Sequence, residues 1–192
     1  MQKDRLTALT DGVIAVIITI MVLELKPPHG TDLAALAASW PVFLSYVLSF
    51  VYVAIYWNNH HHFFQVVDRV DGAILWANMH LLFWLSLVPF TTAWMGEHAG
   101  SAVPTALYGA SLLMSAIAWA VMQAVIIHAQ GPDSAMRRAV GRDLKGRLSP
   151  VLYLCGVGLA FVATWAADLV YAGVACLWLI PDKRMETASS GR

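Results

Sequence analysis

Long apolar stretches separated by short polar breaks dominate the chain. Thr7–Leu25, Trp40–Phe64, Gly72–Met95 and Ala102–Ala129 each hold enough apolar residues to cross a hydrocarbon core as a helix, for which about 20 are needed. A fifth run, Val151–Ile180, is long for one tilted helix and short for two full ones. Its polar step Ala166-Ala167-Asp168 predicts two short helices turning near Asp168. The pattern therefore predicts six transmembrane helices with almost no mass outside the membrane. Ser39-Trp40-Pro41 and Ser149-Pro150 are cap-then-proline starts, and Pro27-Pro28 and Pro181 stop helices. Pro89 removes the N–H that would pair with the Leu85 carbonyl and predicts a kink in the third span.

Composition agrees with the pattern. Hydrophobic residues make up 59% of the 192 and charged residues 12%, against roughly 25% charged in an average soluble domain. Mean hydropathy is +0.63. A soluble chain of this size needs more polar surface, so a soluble enzyme, a nucleic-acid binder and a disordered chain are all disfavoured. The first apolar run resembles a signal peptide, but it ends in Glu24-Leu25-Lys26-Pro27-Pro28 without a small-x-small cleavage site and reads as a retained span. Cys155 and Cys176 lie inside apolar runs without metal or redox spacing.

Net charge is zero, yet the 12 basic residues are unevenly placed. With six spans and both termini cytoplasmic, every one except Lys26 falls on the cytoplasmic side, as the positive-inside rule favours. A five-span layout moves Lys183, Arg184 and Arg192 outside. Six spans in a cell (plasma) membrane is the better layout. It forms one transmembrane domain over residues 1–185 with a short tail at 186–192. The basic stretch Gln130–Arg147 predicts an interfacial helix near anionic headgroups.

Polar residues at membrane depth are the candidates for function. At about 100° per residue, with Val16 at zero, Thr19 falls near 300°, Ile20 near 40°, Leu23 near 340°, Gly12 near 320° and Arg5 near 340°. One stripe runs from Arg5 to Leu23, uncharged through its membrane depth. A core-packing stripe and a pore-lining stripe both fit. Asp11, near 220°, lies off it and needs partners on neighbouring helices. At the end of the second span stands Tyr56-Trp57-Asn58-Asn59-His60-His61-His62-Phe63. Three consecutive histidines point in three directions on a helix, which disfavours a shared metal. One or two of them facing inward would meet Thr10, Asp11 or Asn78; an interfacial cluster is the plainer alternative. Asn78 fits either helix–helix glue or a polar switch. There is no GxSxG, HExxH or phosphate loop, and Asp11 and Glu24 are about 20 Å apart along one helix. No enzyme, cofactor or metal site is expected.

Taken together, Arg5…Leu9-Thr10-Asp11-Gly12 with Thr19 and Leu23-Glu24, Trp57-Asn58-Asn59-His60-His61, Leu75-Trp76-Ala77-Asn78 and Pro89-Phe90-Thr91-Thr92 resemble the transmembrane protein 175 potassium channels. The likeness is to the prokaryotic single-repeat branch. Its motifs cover about the first 95 residues; beyond them only hydropathy and Leu179-Ile180-Pro181-Asp182 agree. The resemblance implies an all-α, six-helix subunit with the first helix lining a central pore. One repeat, where lysosomal members carry two and dimerise, implies a homotetramer. It also implies pore positions at Val16, Thr19, Ile20 and Leu23, the stripe found from helical angles. A motif network would join Arg5, Thr10, Asp11, His60 or His61, and Asn78. Leu9 stands where the family carries Phe, and Val16 is smaller than the usual Ile or Leu. The implied activity is a K⁺-preferring cation channel in the lipid bilayer, gated by hydrophobic rings and lacking a Thr-Val-Gly-Tyr-Gly carbonyl filter. Thr19 hydroxyls would replace part of the ion's water shell, and Glu24 is either a cation-concentrating group at the mouth or a plain interfacial carboxylate. A proton-leak pathway and a non-conducting membrane scaffold are the alternatives.

Overall fold

The computed structural model describes residues 3–67, 69–131, 137 and 143–179. Among them the chain is helical, without strands. In order the helices are α1 (Lys3–Leu23), α2 (Leu33–Ala38), α3 (Trp40–Gln65), α4 (Gly72–Ser86), α5 (Val88–Glu97), α6 (Ala102–Gln130), α7 (Leu144–Ala160) and α8 (Thr164–Leu179). Among the described residues, four segments are long and apolar enough to cross a membrane: Lys3–Leu23, Trp40–Gln65, Gly72–Glu97 and Ala102–Gln130.

Local chemistry sets the ends. Pro27-Pro28 follow α1 closely. Asp32 and Asp71 cap α2 and α4, accepting from the Ala35 and Ile74 amides at 2.8 and 2.9 Å, which satisfies amides that a helix start leaves unpaired. Pro41 occupies the first turn of α3. Gly131 ends α6 at φ 89°, a conformation in which a Cβ is disfavoured. Pro89 interrupts the third span: α4 stops at Ser86 and α5 restarts at Val88, with the Leu87 amide on the Trp84 carbonyl at 3.2 Å.

Two expectations are corrected. The break in the last apolar run falls at Phe161–Ala163, and Asp168 lies inside α8. Asp168 stands past the first turn of α8 and is only half-buried, so the helix carries it without ending there, and the true turn is built from apolar residues that send no sequence signal. The last helical pair also starts earlier than Ser149-Pro150. Asp143 accepts from the Gly146 amide at 2.8 Å and caps α7, leaving Pro150 within it. The interfacial helix expected in Gln130–Arg147 falls largely on 132–136 and 138–142, and Pro181 and the tail on 180–192; these lie outside the described residues.

Helix α1 packs on α3, α4 and α5; α6 lies against α4, α5 and α7; and α8 closes on α7, α3 and α6. Two apolar clusters result. One joins Leu6, Ile14, Ile17 and Met21 of α1 to Phe63, Leu81 and Met122. The other gathers Tyr52, Tyr108, Tyr153 and Tyr171 where α3, α6, α7 and α8 meet. Buried hydroxyls bind the second region together. Tyr108 and Ser49 lie 2.9 Å apart, Ser49 and Thr92 2.7 Å, and Thr92 reaches the Val88 carbonyl at 2.6 Å. Thr92 is the donor to both Ser49 and the Val88 carbonyl and has one proton to share between them.

Candidate functional site

Helix α1 has two faces. Leu6, Thr10, Ile14, Ile17 and Met21 recur every three or four residues and are buried against the rest of the subunit. The face turned away carries the predicted stripe: Val16 is 54% exposed, Ile20 41% and Leu23 79%, and Arg5, Gly12 and Thr19 are exposed with them. The stripe is thus not packed inside a single subunit. An added Cβ at Gly12 would meet nothing within 4 Å. Thr19 donates its hydroxyl proton to the Val16 carbonyl at 2.8 Å, which leaves its oxygen lone pairs as acceptors on the open face. Leu9, Gly12, Val16 and Ile20 also form one side of an open groove whose other side includes Pro89 and Phe90 of α5.

Behind the stripe, α1 is tied to α3 and α4 by a polar cluster. The His60 Nε2–H donates to Asn78 Oδ1 at 2.9 Å, and Asn78 Nδ2 donates to Thr10 Oγ1 at 3.0 Å. All three residues are buried. The Asn78 orientation fixes which histidine nitrogen carries the proton in this bond. His60 also stacks on Phe64, ring centroids 4.3 Å apart.

Of the other residues expected in this network, Asp11 lies at the surface and accepts from Trp57 Nε1 at 2.9 Å. His61 is exposed, bonds Gln65 at 3.0 Å and stacks on Trp57 at 5.8 Å. It therefore touches the Asp11 side of the cluster and not Asn78. No hydrogen bond or ion pair among the described residues reaches the Arg5 side chain. His62 points elsewhere, and its Nδ1 is buried without a partner among the described residues.

Trp57 is the residue that sequence reasoning left without a role. It stands three before His60, so on a helix it shares that side of α3, and Asp11 was already known to need a partner off its own helix. Past the other end of α1, Lys26 forms an ion pair with Glu97 of α5, Nζ to Oε1 2.6 Å. The carboxylate raises the lysine pKa above its ordinary value. Glu24 is exposed between them and the stripe.

Comparison with known proteins gives this arrangement its context. Residues 5–89, spanning α1 through α4, match the sequence profile of the family described as endosomal/lysosomal potassium channel TMEM175. A protein named as a potassium channel from Chryseobacterium sp. (strain P1-3) is 50% identical, the match covering 97% of each chain. Another so named, from Chamaesiphon minutus, is 32% identical over 85% of this chain and 87% of its own. The crystal structure of a lysosomal potassium-selective channel TMEM175 homolog from Chamaesiphon minutus superposes with a TM-score of 0.80 at 31% identity, covering 93% of this chain and 96% of that one. The chain belongs to the TMEM175 potassium channel family, and it is a channel-family protein rather than an enzyme.

Proposed function

We propose that this chain is the subunit of a homotetrameric, K⁺-preferring cation channel of the cell membrane, with six spans, both termini cytoplasmic and one channel domain over 1–185. Four copies of α1 line its pore, and Val16, Thr19, Ile20 and Leu23 form successive rings. The observation that carries this reading is the division of α1: one face is packed in the subunit, while the opposite face, apolar and uncharged at membrane depth, is open in a single copy. The curated relatives named as potassium channels support the choice of ion.

Chemically, rings of Val16, Ile20 and Leu23 resist wetting and so act as hydrophobic constrictions. A cation passing them sheds part of its water, and K⁺ releases water more readily than Na⁺. Thr19 supplies acceptor oxygens between these rings, with its proton already engaged by the backbone. The Thr10–Asn78–His60 cluster holds α1 against α3 and α4 and fixes the rotation of the stripe, while Asp11 and Trp57 brace the same end.

The test is flux from vesicles holding the purified chain under opposed K⁺ and Na⁺ gradients, with proton flux read in parallel. Wild type is expected to favour K⁺, and Val16→Ala and Leu23→Ala to alter the K⁺/Na⁺ ratio without loss of folding. Unchanged selectivity in both variants, or silence from a protein that is not tetrameric, overturns the proposal.

A further inference from the structure

A second groove lies away from α1, between α3 and α8, with a volume of about 630 Å³. Its walls include Leu48, Val51, Leu169, Ala172 and Cys176, and a single carboxylate, Asp168, joins them. Among the described residues, no Lys, Arg or His lines the groove. Asp168 is half-buried, and no hydrogen bond or ion pair among the described residues reaches its carboxylate. A carboxylate so placed needs donors from outside the chain.

Position narrows what can supply them. Pro41, Thr105 and Asp168 all line the groove and lie in the early turns of α3, α6 and α8, which start at one end of the molecule. Trp40 and Trp165 are 58% and 68% exposed at that end, as aromatic side chains at headgroup level are. Asp168 is therefore near a membrane interface. From Asp168 to Leu179 the groove follows α8 for about 16 Å by helix rise, close to half of a roughly 30 Å hydrocarbon core. The groove is as deep as one leaflet.

We propose that this groove is a binding site for a phospholipid whose headgroup ends in a primary ammonium, with its N–H groups on the Asp168 carboxylate and one acyl chain laid between α3 and α8. Charge complementarity selects the headgroup. A primary ammonium brings three donors and a charge opposite to Asp168. A trimethylammonium carries the charge without any N–H. A net-anionic headgroup meets the carboxylate with no cationic side chain among the described groove residues to offset it.

The experiment uses the full chain, stripped of lipid in detergent and titrated with phosphatidylethanolamine, its mono- and dimethylated forms, phosphatidylcholine and phosphatidylglycerol of identical acyl chains. Native mass spectrometry reads bound lipid. Phosphatidylethanolamine is expected to bind roughly tenfold more tightly than phosphatidylcholine, the worth of a charge-assisted hydrogen bond, with affinity falling at each methylation. Asp168→Asn removes the preference, and Ala172→Phe, which fills the groove, weakens all the lipids together. Equal affinity for all headgroups, tighter phosphatidylglycerol or an unchanged preference in Asp168→Asn overturns the proposal. If Asp168→Asn does not fold, the methylation series on wild type decides alone, and a flat series overturns it. Protection of Cys176 from a bilayer-soluble maleimide in lipid-free assemblies but not in separated subunits would place a second copy in the groove and overturn it equally.

Discussion

The three residues Thr10, Asn78 and His60 differ from Asp11 and Trp57 in burial, and that difference sets what their loss does. Asn78 is 1% exposed and serves two partners at once. Asn78→Ala strands the His60 N–H and the Thr10 hydroxyl in a dry site, where each unsatisfied group costs about 1–3 kcal/mol. A lowered melting temperature is expected, and a double-mutant cycle with Thr10→Ala should give a coupling well above zero, near the roughly 0.6–2 kcal/mol of hydrogen bonds between membrane helices. Trp57→Phe should shift the melting temperature little, because Asp11 is exposed and water replaces the lost donor. A larger effect for Trp57→Phe than for Asn78→Ala would reverse this ranking. Of these partners, the sequence made the Thr10–Asn78–His60 meeting foreseeable in outline, since all three are polar exceptions in apolar spans. It did not choose among the histidines. That choice depends on helix rotation, which puts His60 under Phe64 and against α4 and turns His61 outward to Gln65.

Among the helices, the four long runs are legible because length and hydropathy alone define them, while their junctions are not. The turn at Phe161–Ala163 consists of apolar residues, and Pro150 sits inside a helix that Asp143 starts about two turns earlier. The glycines divide in the same way. Tyr171 of α8 lies against Gly109 of α6 and Gly156 of α7, where a Cβ on either glycine collides with its ring or hydroxyl. Gly109→Ala and Gly156→Ala should each destabilise by about 1–3 kcal/mol, as overpacked cores do. Gly12→Ala and Gly173→Ala meet nothing within 4 Å and should be neutral or stabilising, by up to about 1 kcal/mol for a helix interior. Thermal melts of the four purified variants check the division, and equal effects at all four would refute the close approach of α6, α7 and α8 around Tyr171.

In the whole molecule, the exposed stripe of α1 and its groove beside Phe90 are what the proposed tetramer puts to use. Light scattering or native mass spectrometry of the full chain is expected to give four copies, and dilution that separates subunits should abolish flux while leaving helicity intact. A functional monomer would contradict the pore assignment. The all-helical membrane class was readable from hydropathy; which face of α1 packs within the subunit was not, because periodicity gives the same angles to a packing face and a lining face. The placement of α3, α4 and α5 on the far side of α1 shows that the stripe is not packed within one subunit.

Helix α1 keeps its folding contacts and its candidate conduction surface on opposite sides, and that separation bears on how such a chain can change over generations. A substitution at Val16, Ile20 or Leu23 disturbs little of the packing that holds the subunit together, so selection for a different permeation behaviour meets weak opposition from selection for foldedness. Positions such as Ile14, Ile17 and Met21 have no such latitude. On the proposed pore assignment, the permeation surface can therefore change while the frame that carries it stays unaltered.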